Sequence, residues 1–175
     1  KVIPFPSADL YSDDLTIGND KEIIGKYGLP DCYLLYPAQF WPHKNHVGLL
    51  NALKILKDHY SIGLSVVFSG TDKGNLHFVQ SKVIQLDLQG QVHFVGFVPY
   101  DDLLCLYNKA LALTFVSLLG PDNIPPLEAF ALGCPVIAGR TPGSEEQLGD
   151  NALLVNLSNQ NELALAIKSV YEKRE

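Results

Sequence analysis

From Tyr33 onward the chain alternates short, wholly apolar runs with longer stretches whose apolar residues recur at helical spacing. The first run, CYLLYPA, is too brief for a helix and is apolar on consecutive positions, so a strand there carries apolar side chains on both faces. NHVGLLNALKILKDHY follows, with Asn45 placed to cap a helix and Leu49, Leu53 and Leu56 on one face. The alternation repeats. LSVVFSG reads as a strand, and Leu76, Val79, Val83 and Leu86 mark a helix. VHFVGF is a strand and YDDLLCLYNKA a helix; LALTFVS is a strand and PPLEAFALG a helix ended by Gly133. PVIA, EEQLG and ALLV continue as strand, short helix and strand. A last helix carries Leu163, Ala166, Ile167, Val170 and Tyr171. The opening residues differ: Pro4, Pro6, Pro30 and the polar run Ser12-Asp13-Asp14 leave room for one short helix, about Asp20 to Tyr27, stopped by Gly28.

This grammar predicts an α/β domain: a doubly wound parallel sheet of about six strands, between Tyr33 and Val155, with helices on both faces and right-handed crossovers. Residues 1–31 form a lead-in segment with its short helix, and residues 32–175 form the domain. The 175 residues suffice for one real core, and 47% hydrophobic against 18% charged residues is a globular composition. The net charge of −6, without a basic run or a Lys/Arg stripe, argues against nucleic acid as the main partner. Cys32, Cys105 and Cys134 are scattered and form no CxxC, as expected of buried thiols in a reducing compartment. No apolar run approaches the ~20 residues of a membrane span, and no signal peptide is visible. The chain opens on Lys1, which leads us to expect a piece of a longer protein.

In such a sheet ligands bind beyond the carboxyl ends of the strands, and three of the loops there are unusual. PAQFWPHKNH, Pro37 to His46, places Lys44 near a helix start, where N–H groups and the dipole already favour an anion. A cation there is either solvated or faces an anion. His43 and His46 stand three apart, but no third ligand is close, so the reading is no metal. SGTDKGN, Ser69 to Asn75, has glycines bracketing a strand-to-helix turn; it is either a plain turn or a loop that lets backbone approach a phosphate, and it is not a Walker or GxGxxG sequence. The third loop runs SLLGPDNIPPLEAF. Pro125 and Pro126 fit the edge of a helix, where a missing N–H costs nothing, and Glu128 is expected in its first turn. There it either complements the helix dipole or accepts hydrogen bonds from a ligand's hydroxyl pair.

The stretch GPDNIPPLEAFALGCPVI resembles the signature of retaining, nucleotide-sugar-dependent glycosyltransferases of family 4, which have the GT-B fold. YPAQFWPHKNHVGLLNAL, VVFSGTDKGN, VHFVGFVPYDDLLCLYNKA and ALLVNLSNQNELALAIKSVYE resemble further stretches of the same family, in the same order. The resemblance implies that the chain is the Rossmann-like, donor-binding half of a GT-B glycosyltransferase. It casts Lys44 and Glu128 as catalytic residues, with Lys44 on the diphosphate and Glu128 on the nucleoside ribose. It assigns the loop Gly120, Pro121, Asp122, Asn123 and Ile124 to the sugar and phosphates, and Gly70 and Thr71 to the border of the diphosphate. Phe94 and the stretch Val95, Gly96, Phe97 and Val98 would border the base.

Two positions depart from the family pattern. The first Glu of the usual pair falls at Gly120, and the family's Arg before the Lys falls at Gln39. Some members resemble this chain in a Gly-Pro-x-Asn-x-Pro-Pro-Leu-Glu-Ala version, which makes Gly120 a subgroup feature. The implied activity is transfer of a sugar from a nucleotide diphosphate sugar to a saccharide or lipid-linked acceptor, as in polysaccharide biosynthesis. The nucleotide diphosphate sugar is the substrate, and no cofactor is expected. The implied partner is an N-terminal GT-B domain that holds the acceptor, without which this piece is expected to be inactive. The expected location is cytoplasmic, with peripheral contact at the inner face of the membrane through that domain left open. A non-catalytic nucleotide-binding module and a GT-B-like sugar-nucleotide epimerase remain as alternatives.

Overall fold

The computed structural model describes residues 20–119 and 124–174. Gly120, Pro121, Asp122 and Asn123, singled out above, lie outside the described residues, as do residues 1–19. The sheet has six strands, β1 (Tyr33–Pro37), β2 (Ser65–Ser69), β3 (Val92–Gly96), β4 (Ala112–Phe115), β5 (Val136–Gly139) and β6 (Leu153–Val155), all parallel, in the order β3-β2-β1-β4-β5-β6. Helices α1 (Asp20–Tyr27), α2 (His46–Tyr60), α3 (Leu76–Gln85), α4 (Tyr100–Lys109), α5 (Ile124–Ala131), α6 (Ser144–Leu148) and α7 (Gln160–Glu172) connect and flank the strands. The expected α/β architecture is what the chain adopts.

The central strands β1, β2, β4 and β5 are buried almost throughout, because helices cover both faces of the sheet. The edge strands depart from the expectation of two apolar faces: β3 is mostly half-buried and Leu153 of β6 is exposed. Leu49, Leu53 and Leu56 of α2 are fully buried, each contributing about 1.5–3 kcal/mol of burial. α2 packs on α3 and α7. Of the three cysteines, Cys105 and Cys134 are buried as expected, whereas Cys32 is only half-buried. The short lead-in helix α1 docks on α4, with Ile23 and Ile24 against the core. Lys26 Nζ and the Tyr27 hydroxyl both donate to Asp102 Oδ2, each at 2.6 Å. Lys26 is exposed, so the docking rests more on the apolar contacts than on the ion pair.

Among the described residues one histidine lies within the core. His46, at the start of α2, is 1% exposed and stacks on Phe40 with ring centroids 4.5 Å apart. Tyr36 and Phe68 each lie 5.0 Å away. Its pKa is lowered to about 4: burial penalises the imidazolium, the Ala38 backbone partly opposes this, and the Lys44 charge adds to it. In the unfolded chain the same group titrates near 6.5. Between those values the unfolded state binds more protons, so His46 contributes full stability above about pH 6.5 and loses it as pH falls toward 4, roughly 3 kcal/mol in all. His46→Phe should therefore flatten the acid limb. Urea unfolding at pH 7 and pH 4.5 should differ by roughly 2–3 kcal/mol less in the variant than in the wild type. An identical acid limb in both proteins would contradict the assignment.

Candidate functional site

The strand order turns around between β1 and β4: from β1 the chain winds outward through β2 and β3, and from β4 it winds the other way through β5 and β6. The connections that follow β1 and β4 therefore lead to opposite sides of the sheet, and such a reversal point is where a doubly wound sheet leaves room for a ligand. Lys44 lies in the first of those connections. Ala38 N–H donates to the Ser69 carbonyl at 2.8 Å and Phe40 N–H to the Thr71 carbonyl at 3.0 Å, which ties this loop to the one after β2. Pro42–Lys44 then forms a single 3-10 turn, and Asn45, at φ 55°, reverses the chain and caps α2 through its Oδ1 and the Gly48 N–H. The buried Tyr36 hydroxyl donates to the Lys44 carbonyl at 2.6 Å. From the other side Leu118 N–H donates to the His43 carbonyl at 2.9 Å, so the loop after β4 starts out anchored to the Lys44 turn.

The Lys44 ammonium is half-buried, 5.7 Å from the centre of the Phe115 ring on β4, and forms no ion pair among the described residues. Burial pushes its pKa below the usual lysine value. Pro37, Gln39, Trp41, Lys44, Phe115 and Pro125 contribute to a cleft of about 400 Å³ around it. A larger cleft of about 570 Å³ lies beside the edge strand β6, near Arg140 and Leu165. Its arginine is already engaged with Glu145 and the Leu154 carbonyl. The cleft at the strand-order reversal, with a cation that has no ion-pair partner among the described residues, is the better ligand site on chemical grounds. The two histidines considered as metal ligands part company: His46 is in the core, whereas His43 stacks on the exposed Trp41. Among the described residues no group of three His, Cys, Asp or Glu side chains converges. Gln39, where the family pattern has an arginine, accepts from the Trp41 indole at 3.1 Å.

The loop after β2 serves packing more than the sequence suggests. Gly70 has φ +149°, and a Cβ added there would stand 2.4 Å from the Ala38 carbonyl oxygen. The close approach that this glycine permits is therefore to backbone of the Lys44 loop. Its N–H is already donated to the Gly96 carbonyl at 2.8 Å. Thr71 is exposed. Asp72 Oδ1 accepts from the N–H groups of Gly74, Asn75 and Leu76, at 2.8, 3.1 and 3.1 Å, and so occupies the first helical donor of α3 and the two N–H groups before it. Those bonds hold the Asp72 carboxyl below its usual range, the Leu76 N–H most of all. Beyond the neighbouring strand, a register shift opposes Ser69 to Gly96 and leaves Val95 without a partner in the ladder. Phe94 and Val95 are half-buried, Val98 is in the core, and Phe97 is 74% exposed.

Helix α5 begins at Ile124, one residue before the prolines, so Glu128 falls in its second turn. This corrects the expectation of a first-turn position and weakens the dipole reading, because that effect fades within the first turn. The prolines have a second consequence. Of the first three residues of α5 only Ile124, which is exposed, carries an N–H. Glu128 is half-buried, and its Oε2 accepts from the Tyr107 hydroxyl at 2.9 Å. Tyr107 is fully buried, and burial together with the Glu128 charge drives its pKa far above the usual tyrosine range. Tyr100, also raised by burial and then by Glu128, lies on the same side.

Sequence reasoning did not single out Asp72, Tyr36 or Tyr107. For Asp72 a signal was present, an Asp two residues before Gly74 in a strand-to-helix turn, which is an Asx-type cap. The two tyrosines carried no local signal, since each acts through a hydroxyl that reaches another element.

The family model described as "Glycosyl transferases group 1" matches residues 19–175. The O-antigen chain mannosyltransferase RfbU of Salmonella typhimurium is 35% identical over 79% of this chain and 38% of its own length. The O-antigen chain mannosyltransferase B of Escherichia coli is 28% identical over 77% of this chain and 35% of its own. The chain thus spans little more than a third of these relatives. Among solved structures, Anabaena HepE in complex with UDP and glucose aligns with a TM-score of 0.78 at 21% identity, over 97% of this chain and 46% of that one. The C-terminal domain of LpcC, a group 1 family protein of Francisella tularensis, aligns with a TM-score of 0.74 at 21% identity, over 92% of this chain and 88% of that domain. These structures share the fold, that of a GT-B C-terminal domain. With the family match covering nearly all of its length, the chain belongs to the glycosyl transferases group 1.

Proposed function

We propose that this chain is the donor-binding half of a retaining glycosyltransferase, which moves a sugar from a nucleotide diphosphate sugar to a saccharide or lipid-linked acceptor. The observation that carries the reading is Lys44: a half-buried ammonium at the strand-order reversal, with no carboxylate partner among the described residues. Partial burial of an unpaired charge is costly, and a diphosphate in the cleft offsets that cost. As the diphosphate departs with the sugar's bonding pair, negative charge builds up on it, and a fixed cation in a partly dry cleft stabilises that charge. Glu128 accepts hydroxyl hydrogen bonds from the ribose. The loop from Gly120 to Ile124 lies against the sugar and phosphates, and the stretch Val95–Val98 borders the base. Gly70 and Thr71 shape the diphosphate's edge; the Gly70 N–H is not among its donors, being engaged with Gly96.

On this reading residues 1–31 lead into a donor domain of residues 32–175, and an N-terminal GT-B domain supplies the acceptor site. The names of the curated relatives make mannose the first donor sugar to try. The resemblance of the Pro-Pro-Leu-Glu-Ala stretch to retaining family members supports retention at the anomeric carbon, and a lipid-linked or saccharide acceptor is part of the same proposal. Among the described residues no helix is long and apolar enough to cross a membrane. Incubating the full-length protein with a panel of nucleotide sugars and following nucleotide diphosphate release tests transfer directly. Binding without turnover across a broad acceptor set favours a non-catalytic module instead.

Two variants test the site, each titrated calorimetrically with uridine and guanosine diphosphates and with the parent nucleosides. Glu128→Gln should weaken nucleotide binding about ten- to a hundredfold, because hydrogen bonds to a charged acceptor contribute roughly 1.5–3 kcal/mol. A lowered melting temperature with unchanged affinity would instead make Glu128 purely structural. Lys44→Ala should weaken nucleoside diphosphates about tenfold or more while leaving nucleosides nearly unaffected. Burial lowers the Lys44 pKa in the free protein, and a bound diphosphate favours its charged form. Wild-type affinity for the diphosphates should therefore fall as pH rises through the alkaline range, and Lys44→Ala should lack that fall. A wild-type profile that matches the variant's would remove Lys44 from the phosphate site.

A further inference from the structure

We propose that Tyr107 is a positioning residue that aims the Glu128 carboxylate at the ribose diol, an inference that rests on the reading of Glu128 above. The geometry is specific. Tyr107 stands on α4 with its ring fully buried, and its hydroxyl donates across to Glu128 Oε2 on α5 at 2.9 Å. A phenol has a single proton to give, whereas a carboxylate accepts at two oxygens. The bond therefore fixes one oxygen and leaves Oε1, with the remaining lone pairs, for a ligand. Among the described residues no cation pairs with Glu128. Among the described residues this half-buried carboxylate accepts a side-chain hydrogen bond from Tyr107 alone, which leaves it under-compensated. Two further hydroxyl donors would complete its set, and the vicinal diol of a ribose supplies them.

The reason for a tyrosine at this place is conformational. A glutamate has three side-chain torsions, and an unrestrained one gives up that freedom when it binds. A donor held in the core, on a different helix, fixes the carboxylate beforehand, so less ordering remains for the nucleotide to impose. Because the Tyr107 pKa lies far above the usual range, the hydroxyl keeps its proton at any working pH. The restraint is therefore present whenever the protein is folded, and its signature is selectivity for the diol.

The test uses the full-length protein and compares uridine and guanosine diphosphates with their 2′,3′-dideoxy counterparts. The readout is the ratio of affinities, ribo over dideoxy, with thermal melts alongside. Wild type should favour the ribonucleotide about ten- to a hundredfold, and Glu128→Gln should nearly abolish the preference. Tyr107→Phe, which removes one oxygen, should lower the ratio about three- to tenfold while leaving dideoxy affinity unchanged. Added to Glu128→Gln, the same substitution should lower the ratio no further, because Tyr107 acts through that carboxylate. A wild-type ratio in Tyr107→Phe, or an equal loss for ribo and dideoxy nucleotides, overturns the proposal and leaves Glu128 in place. No diol preference in wild type, or full preference in Glu128→Gln, removes the reading of Glu128 and this proposal with it. Should Tyr107→Phe fail to melt cooperatively, Glu128→Asp withdraws the carboxylate from the hydroxyl without touching the core. Its ratio should drop toward that of Glu128→Gln, and a wild-type ratio there also overturns the proposal.

Discussion

The ligand face is built around one close approach, that of Gly70 to the Ala38 carbonyl. A side chain at Gly70 would stand 2.4 Å from that oxygen, so only glycine lets the loops after β1 and β2 lie against each other. Once they do, backbone bonds follow in sequence: Phe40 to Thr71, Gly70 to Gly96, and Leu118 to His43. These join the loops leaving four adjacent strands, β3, β2, β1 and β4, into one platform. The Tyr36 hydroxyl then pins the Lys44 carbonyl from beneath. Among the described residues the position of the cation is in this way set by backbone geometry and a core hydroxyl, not by a charge partner. That suits a residue whose proposed partner is a ligand.

Almost all of the secondary structure was legible, because it is written in local periodicity. Five-residue runs such as YLLYP can be buried on both sides only as strands, and Leu49, Leu53 and Leu56 can share a face only on a helix. What escaped was what depends on distant residues. The edge strands β3 and β6 carry the same apolar grammar as the centre, yet their place at the rim leaves them half-covered. The Tyr107–Glu128 bond spans 21 residues and two helices. The start of α5 was missed by a single residue, enough to move Glu128 from the first turn to the second. The close approach made by Gly70 escaped for the same reason: its glycine was visible, but the atom it makes room for belongs to another loop.

The electrostatics of the face are sparse. The chain carries a net charge of −6, and the first helical N–H of α3, that of Leu76, is already bonded to Asp72 together with the two N–H groups before it. Two prolines remove donors from the start of α5. Two common ways of holding an anion, capping it on one helix start or on another, are thus curtailed here. A face depleted of helix donors, in an acidic chain, depends on the few groups that remain. Lys44 is the prominent one, raised in importance by Gln39 standing where the family pattern has an arginine.

On the proposed reading the two ends of the nucleotide are then held by different physics. At the diphosphate end a half-buried ammonium interacts through charge, with little demand on angle. At the ribose end a carboxylate must meet two hydroxyls in a fixed geometry, and angle matters more than charge. The structure is graded accordingly. Lys44 rides on a turn whose backbone is fixed, while its Nζ sits over the Phe115 ring and forms no hydrogen bond among the described residues. Glu128 is held at the side chain itself, by a hydroxyl anchored in the core. A long-range interaction tolerates a mobile tip, and a directional one does not, which is why the buried hydroxyl bond is found on the carboxylate and not on the ammonium.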